Sequence, residues 1–144
     1  GDHRDLPLSI RRQRQMCIRD SNYDKANVVP IAKGLVELGF AIMATRGTAV
    51  YLRAHGVDAE IVFKINEGRP HVGDEMVNKR ISLVINTPLG RESFFDDRAV
   101  RRAAMLQGIP AITTLTGASA VVSAIKALRT EGLTVKSLQE YHAR

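Results

Sequence analysis

The stretch Phe40-Ala41-Ile42-Met43-Ala44-Thr45-Arg46-Gly47-Thr48-Ala49-Val50-Tyr51-Leu52 decides how the rest of this chain is read. It opens on an unbroken apolar run of strand length, Phe40 to Ala44. From Ala49 to His55 it carries a short helical pattern, which Gly56 ends. Between the two lies a hydroxyl-rich turn, Thr45-Arg46-Gly47-Thr48. A strand that passes through a turn into a helix leaves free backbone N–H groups at the positive end of the helix dipole, which suits an anion. Thr45 and Thr48 add hydroxyl donors, and Lys25 and Lys64 bring charge. A phosphate meets these terms. Taken alone, a threonine before a helix has a plainer role as its cap.

Working outward, helical and strand patterns alternate. Asp24 caps a predicted helix to Leu38, with Val28, Ile31, Ala32, Leu35 and Leu38 on one face and Gly39 as the stop. Ala59–Phe63 is a strand, followed by a polar loop from Lys64 to Gly73 and one or two helical turns over Asp74–Lys79. Ile81–Ile85 is β-branched and apolar without polar alternation, as a parallel strand covered on both faces should be. Asp96 or Asp97 caps a helix to Gln107, closed by Gly108. Ala111–Thr113 is a short strand. Gly117–Arg129 is a helix with Val121, Ala124, Ile125 and Leu128 inward, and 133–144 packs a last short element.

Strands separated by helices predict an α/β sandwich around a mostly parallel sheet, in which ligands sit at the carboxyl ends of the strands. Two more polar clusters fall at such ends: Lys64-Ile65-Asn66-Glu67-Gly68-Arg69-Pro70-His71 and Asn86-Thr87-Pro88-Leu89-Gly90-Arg91. Each has a bland reading, as a solvated loop or as a turn that stops a strand. Three clusters on one sheet edge are what a site requires.

Composition narrows the classes. One domain is expected from 144 residues, with 44% hydrophobic and 25% charged residues. No apolar run approaches a membrane span, and no signal-peptide pattern is present. A single cysteine, Cys17, excludes an internal disulfide and fits a reducing compartment, so the chain reads as cytoplasmic. The net charge of +6 suggests nucleic acid. However, three Tyr, four Phe and no Trp leave little for base stacking, and the cations are scattered. Neither a nucleic acid nor a membrane is expected as partner.

The first residues stand apart. Residues 1–20 show neither period, and Arg11-Arg12-Gln13-Arg14-Gln15 has no apolar face. This segment holds five Arg against three Asp, a contribution of +2 to the net charge. Asp2, Asp5 and Asp20 do not suit an acid-poor transit peptide. Arg11 to Ser21 looks like translated sequencing-adapter DNA fused to a truncated reading frame. The plainer reading of 1–21 is a disordered tail; on the adapter reading it is a non-native segment, 22–144 is the domain, and Cys17 and the arginines carry no function.

Asp24-Lys25-Ala26-Asn27-Val28-Val29-Pro30, Ala44 to Thr48, Glu67-Gly68-Arg69-Pro70-His71 and Asn86 to Arg91 occur in order at even spacing. In these residues the chain resembles the C-terminal domain of the carbamoyl-phosphate synthase large subunit. The likeness runs from about Asn22 to the end, through Ile112-Thr113-Thr114-Leu115 and Ser137-Leu138-Gln139-Glu140. The resemblance implies a methylglyoxal-synthase-like fold, a parallel five-stranded sheet between helices. It also implies a regulatory role: binding nucleotide effectors such as UMP or IMP and signalling to ATP-using units elsewhere in the synthase, with its glutaminase subunit, in pyrimidine and arginine synthesis. Lys25, Thr45 and Thr48 would hold the effector phosphate; Lys64 and Asn86 would face ribose and base, with Thr87 beside them. No catalytic residue, metal or cofactor is implied for this stretch, since ATP and magnesium belong to the synthase's other domains. Pro88 stands where some members carry a hydroxyl residue, which shifts effector preference. The family's first strand should come just before Ser21, where the foreign-looking segment lies; Met16-Cys17-Ile18 is the substitute at hand.

The rival reading is methylglyoxal synthase, an enzyme of the same fold acting on dihydroxyacetone phosphate. Asp74 lies where its catalytic aspartate could stand. General acid–base work also needs a partner, and Ser93-Phe94-Phe95-Asp96 offers phenylalanine where the synthases resemble Pro-His-Asp. No dinucleotide fingerprint, P-loop, zinc-protease motif or nucleophile elbow is present, and His55 and His142 lack metal-ligand spacing.

Overall fold

The computed structural model describes residues 14–20, 25–87 and 94–143. Its strands are β1 (Gln15–Asp20), β2 (Ala41–Thr45), β3 (Glu60–Val62), β4 (Ile81–Thr87) and β5 (Ala111–Ile112). Its helices are α1 (Lys25–Glu37), α2 (Arg46–Ala54), α3 (Val72–Val77), α4 (Phe94–Leu106), α5 (Leu115–Thr130) and α6 (Leu138–His142). The strands form one five-stranded sheet in the order β3-β2-β1-β4-β5, and every pair is parallel. The expected parallel α/β sheet is therefore present.

Two apolar layers cover it. Ile18, Ile42, Ala44, Leu83 and Ile85 pack against Val28, Leu35, Leu52 and Ala118 of α1, α2 and α5. Cys17, Met43 and Val84 pack against Val72, Met76, Val100 and Ala104 of α3 and α4. Alternate strand residues point to opposite faces, so runs such as Ile42-Met43-Ala44 feed both layers at once. Gly34 lets α1 and α5 approach: a Cβ there would lie 2.8 Å from Val122 Cγ1. Gly39, at φ 91°, ends the turn after α1 as expected of a residue without Cβ.

The boundary expected at residue 22 does not coincide with the edge of the sheet. Gln15–Asp20 fills the first-strand slot at the centre, between β2 and β4, and buries Met16, Cys17 and Ile18 at 3%, 1% and 0% exposure. The physical reason is its short apolar core, Met16-Cys17-Ile18, which serves both layers in the pleat's alternation. Irregular structure is expected for residues 1–15; Arg14 has no regular structure, Gln15 already belongs to β1, and residues 1–13 lie outside the described residues, as do Asp24 and Pro88.

Other differences are local. Asp97 lies inside α4 rather than capping it. Strand β4 runs on to Thr87, and α3 starts at Val72 rather than Asp74 because His71 is its cap. On α5 the inward stripe is Ala118, Val121, Val122 and Ile125. Ala124 and Leu128, expected inward, are exposed because the helix meets α1 along the Gly34–Val122 contact. The C-terminal α6 forms but buries no residue.

Candidate functional site

The strand order reverses direction between β1 and β4: β2 and β3 lie on one side of β1, β4 and β5 on the other. At such a reversal the connections leave in opposite senses and open a crevice at the carboxyl ends. The residues at this edge are Arg19 and Asp20 of β1, Asn86 and Thr87 of β4, and Thr45 of β2. Five of the six predicted residues belong to this edge or to the helices that start from it: Lys25, Thr45, Thr48, Asn86 and Thr87.

The β2–α2 turn forms as its sequence predicts. Thr45 occupies the N-cap position of α2, yet its side chain makes no capping bond to the helix. Its hydroxyl instead stands 3.4 Å from that of Thr48, and both residues are buried. The plain capping reading of Thr45 therefore fails. Gly47, in the first turn, leaves its helix face open to Lys25: a Cβ built there would lie 3.8 Å from Lys25 Nζ. Residue one of α1 thus puts an ammonium over the N-terminal turn of α2, beside two hydroxyls. A cation beside a helix N-terminus adds to the positive potential there and favours an anion between them.

The β4 side is built differently. Asn86 is fully buried and both ends of its amide are engaged. Arg19 Nη1 donates to Asn86 Oδ1 at 3.3 Å, and Asn86 Nδ2 donates to Asp97 Oδ1. Arg101 closes the chain, with Nε donating to Asp97 Oδ1 at 3.1 Å and Nη2 2.7 Å from Oδ2. A cation on one side and a carboxylate on the other fix which way the amide points. Thr87 faces the opposite layer, its Oγ1 buried and without a hydrogen-bond partner. An unsatisfied buried hydroxyl costs about 1–3 kcal/mol, so it is a natural contact for a ligand atom.

Lys64 lies beyond the end of the edge strand β3. Its ammonium is 4.0 Å from Glu67 in its own loop, and its side chain is 43% exposed. That loop is pinned at its base. Val72 N–H donates to the Phe63 carbonyl, and Arg69 makes a two-pronged contact with Asp74 through Nε at 3.2 Å and Nη2 at 2.5 Å. Asp74 also accepts the His71 backbone N–H at 2.9 Å, while His71 Nδ1 accepts from the N–H groups of Gly73 and Asp74, a reciprocal capping box. The Arg69 hydrogen bonds, and next the His71 N–H, hold the Asp74 carboxyl down to about 2. A carboxylate so occupied is a weak proton acceptor.

One residue at this edge was missed by the sequence reading. Arg19 is a charged residue at 8% exposure on the central strand. The available signal was the Met16–Ile18 apolar core, which makes residue 19 the first polar position beyond a strand. Beside it, burial pushes the Cys17 thiol up to about 12, against a smaller lowering by Arg19, so this thiol is inert. No group of three metal-ligating side chains occurs among the described residues, and no described helix is long and apolar enough to cross a membrane. A separate groove of about 930 Å³ runs between α1 and the start of α5, lined by Asn27, Ile31, Thr113, Thr114 and Ser119. None of the six predicted residues lines it.

A five-stranded parallel sheet in the order β3-β2-β1-β4-β5, flanked by helices, places the molecule in a known class. The family model described as MGS-like domain matches residues 27–113, and this chain belongs to that family. Its relatives point to one larger protein. The chain is 49% identical over 123 residues, 85% of its length, to the carbamoyl phosphate synthase large chain of Acidobacterium capsulatum. It is 45% identical over 120 residues, 83% of its length, to the C-terminal section of that large chain from Methanopyrus kandleri. It spans only 11% of the first relative and 22% of the second. Among solved structures, a methylglyoxal synthase from Elizabethkingia anophelis superposes over 92% of each chain with a TM-score of 0.65 at 14% identity. That likeness is one of fold.

Proposed function

We propose that this chain is the effector-binding regulatory domain of a carbamoyl-phosphate synthase large chain, taking a phosphorylated nucleotide of the UMP or IMP class at the carboxyl edge of its sheet. The observation that carries this reading is the Lys25 ammonium over the first turn of α2, beside the Thr45 and Thr48 hydroxyls. Backbone N–H groups, two hydroxyls and one cation converge as a phosphate group needs. The unpartnered Thr87 hydroxyl at the reversal point supports a ligand that extends across β1 toward β4. Lys64, half-exposed beside Glu67, is then a rim contact on the other flank.

The domain itself carries no chemistry on this reading. Asp74, the acid–base candidate of the rival enzyme, is spent on Arg69 and on capping α3. ATP and magnesium are handled in other parts of the longer chain, and the glutaminase subunit is a partner of the whole. Regulation follows if the effector binds two arrangements of that synthase unequally, since a ligand shifts an equilibrium only by its difference in affinity.

The test is a calorimetric titration of UMP, and separately IMP, into the purified chain, with dihydroxyacetone phosphate as the parallel ligand. Saturable nucleotide binding without methylglyoxal release is the expected outcome. Turnover of the triose phosphate would overturn the reading and make Asp74 the residue to substitute.

A further inference from the structure

Helix α4 has one face that the fold uses and one that it does not. Val100 and Ala104 pack into the α3–α4 layer, and buried Asp97 accepts from Asn86. At 3.6 residues per turn this leaves Arg98, Arg101, Arg102, Met105 and Leu106 together on the side away from the core, all exposed. Met105 and Leu106 are 74% and 70% exposed, and Val77 at the end of the neighbouring α3 is 60% exposed. A hollow of about 530 Å³ lies over Arg98, Ala99, Arg101, Arg102 and Met105. Arg101 is partly neutralised by Asp97, 2.7 Å away. Arg98 and Arg102, one helical turn apart, have neither an ion pair nor a hydrogen bond among the described residues. Like charges at this spacing repel, and an anionic partner relieves them.

We propose that this face of α4 is a docking surface for an acidic protein helix with an apolar seam, its carboxylates on Arg98 and Arg102 and its seam on Met105 and Leu106. Residue type decides the class of partner. Protein interfaces favour arginine and methionine and disfavour lysine, and no lysine occurs between Arg98 and Leu106. Guanidinium groups take carboxylates in a two-pronged geometry, which fixes register as well as attracting charge. A second copy of the chain is a poor occupant, because its net charge of +6 brings more positive charge to a positive face. Nucleic acid calls for stacking rings, and residues 97–106 hold no aromatic side chain. A membrane calls for an apolar face along the whole helix, whereas α4 offers Met105 and Leu106 at one end only. The surface goes beyond the nucleotide site and stands whether or not a ligand binds at the sheet edge.

The probe is a synthetic helical peptide with glutamates flanking a leucine seam, followed by fluorescence anisotropy as the chain is added at physiological ionic strength. Saturable binding is expected. Arg98→Glu with Arg102→Glu weakens it by about tenfold or more, and Met105→Ser severalfold. Lys126→Glu with Lys136→Glu changes the net charge equally, away from α4, and leaves the affinity within about twofold. If the arginine-to-glutamate pair fails to fold by circular dichroism, Arg98→Gln with Arg102→Gln is compared with Lys126→Gln and Lys136→Gln. Absence of saturable binding overturns the docking surface. So does an equal loss in the lysine pair, or no effect of Met105→Ser, since either reduces the contact to net-charge attraction. Tighter binding of phosphatidylserine vesicles or duplex DNA through the same arginines overturns the protein partner in favour of a membrane or a nucleic acid.

Discussion

The two halves of the site edge, either side of the central strand, are built on opposite plans. On the β2 side, Lys25, Thr45 and Thr48 gather donors around a helix N-terminus. On the β4 side, Asn86, Asp97 and Arg101 form a closed chain in which cation, amide and carboxylate satisfy one another. Donors gathered at a helix N-terminus suit an anion. A chain in which cation, amide and carboxylate satisfy one another is scaffold. On the proposed reading one sheet edge supplies both a receptor for charge and a rigid wall against which that receptor is set.

The widest contrast is in stability. Asp97→Ala leaves the buried Asn86 amide without its acceptor and Arg101 without its carboxylate, and a loss of roughly 1–3 kcal/mol in denaturant unfolding is expected. An effect under about 1 kcal/mol would show that the chain is not the scaffold of this half. Lys25→Ala reverses the pattern: stability stays within about 0.5 kcal/mol, whereas UMP affinity falls roughly ten- to hundredfold. Equal UMP affinity in calorimetry would remove Lys25 from the phosphate position.

A third measurement addresses the strand between the halves. Burial raises the Cys17 thiol from 9.0 to about 12, so the folded chain holds its proton where the unfolded chain releases it. The contribution is intact below pH 9 and is lost as pH rises toward 12, at up to about 1.4 kcal/mol per unit. Urea midpoints of the chain and of Cys17→Ala should diverge at neutral pH and converge above pH 9. Parallel curves would mean that β1 does not sit in the core. The smallest effect is expected from Gly47→Ala. Its methyl meets Lys25 at an ordinary 3.8 Å, so stability changes by less than about 1 kcal/mol, while UMP binding weakens severalfold as the methyl takes up ligand space. Unimpaired binding would place the phosphate elsewhere on the turn.

Much of this was legible in the residues. The apolar run Phe40–Ala44 and the hydroxyl turn after it fixed β2 and the start of α2, because strand alternation and helix termini are local properties. The continuous apolar β4 announced a sheet covered on both faces. Less legible were features that depend on what lies across space. Asp97 reads as a helix cap in sequence because caps are local, but only the fold brings it within reach of Asn86, eleven residues earlier. Asp74 reads as a candidate base until Arg69 and His71 are seen to occupy its oxygens.

The sequence by itself determined the alternation of elements, the family and the hydroxyl-rich β2–α2 turn, since periodicity and motif order survive without coordinates. Only the tertiary structure decided that Gln15–Asp20 is the central strand, although its composition reads as foreign. A central strand is chosen by what its two neighbours and two layers accept, and three apolar residues in the right alternation satisfied them. It likewise decided that Arg19 stands between Thr45 and Asn86, because register between strands, not distance along the chain, sets which side chains meet.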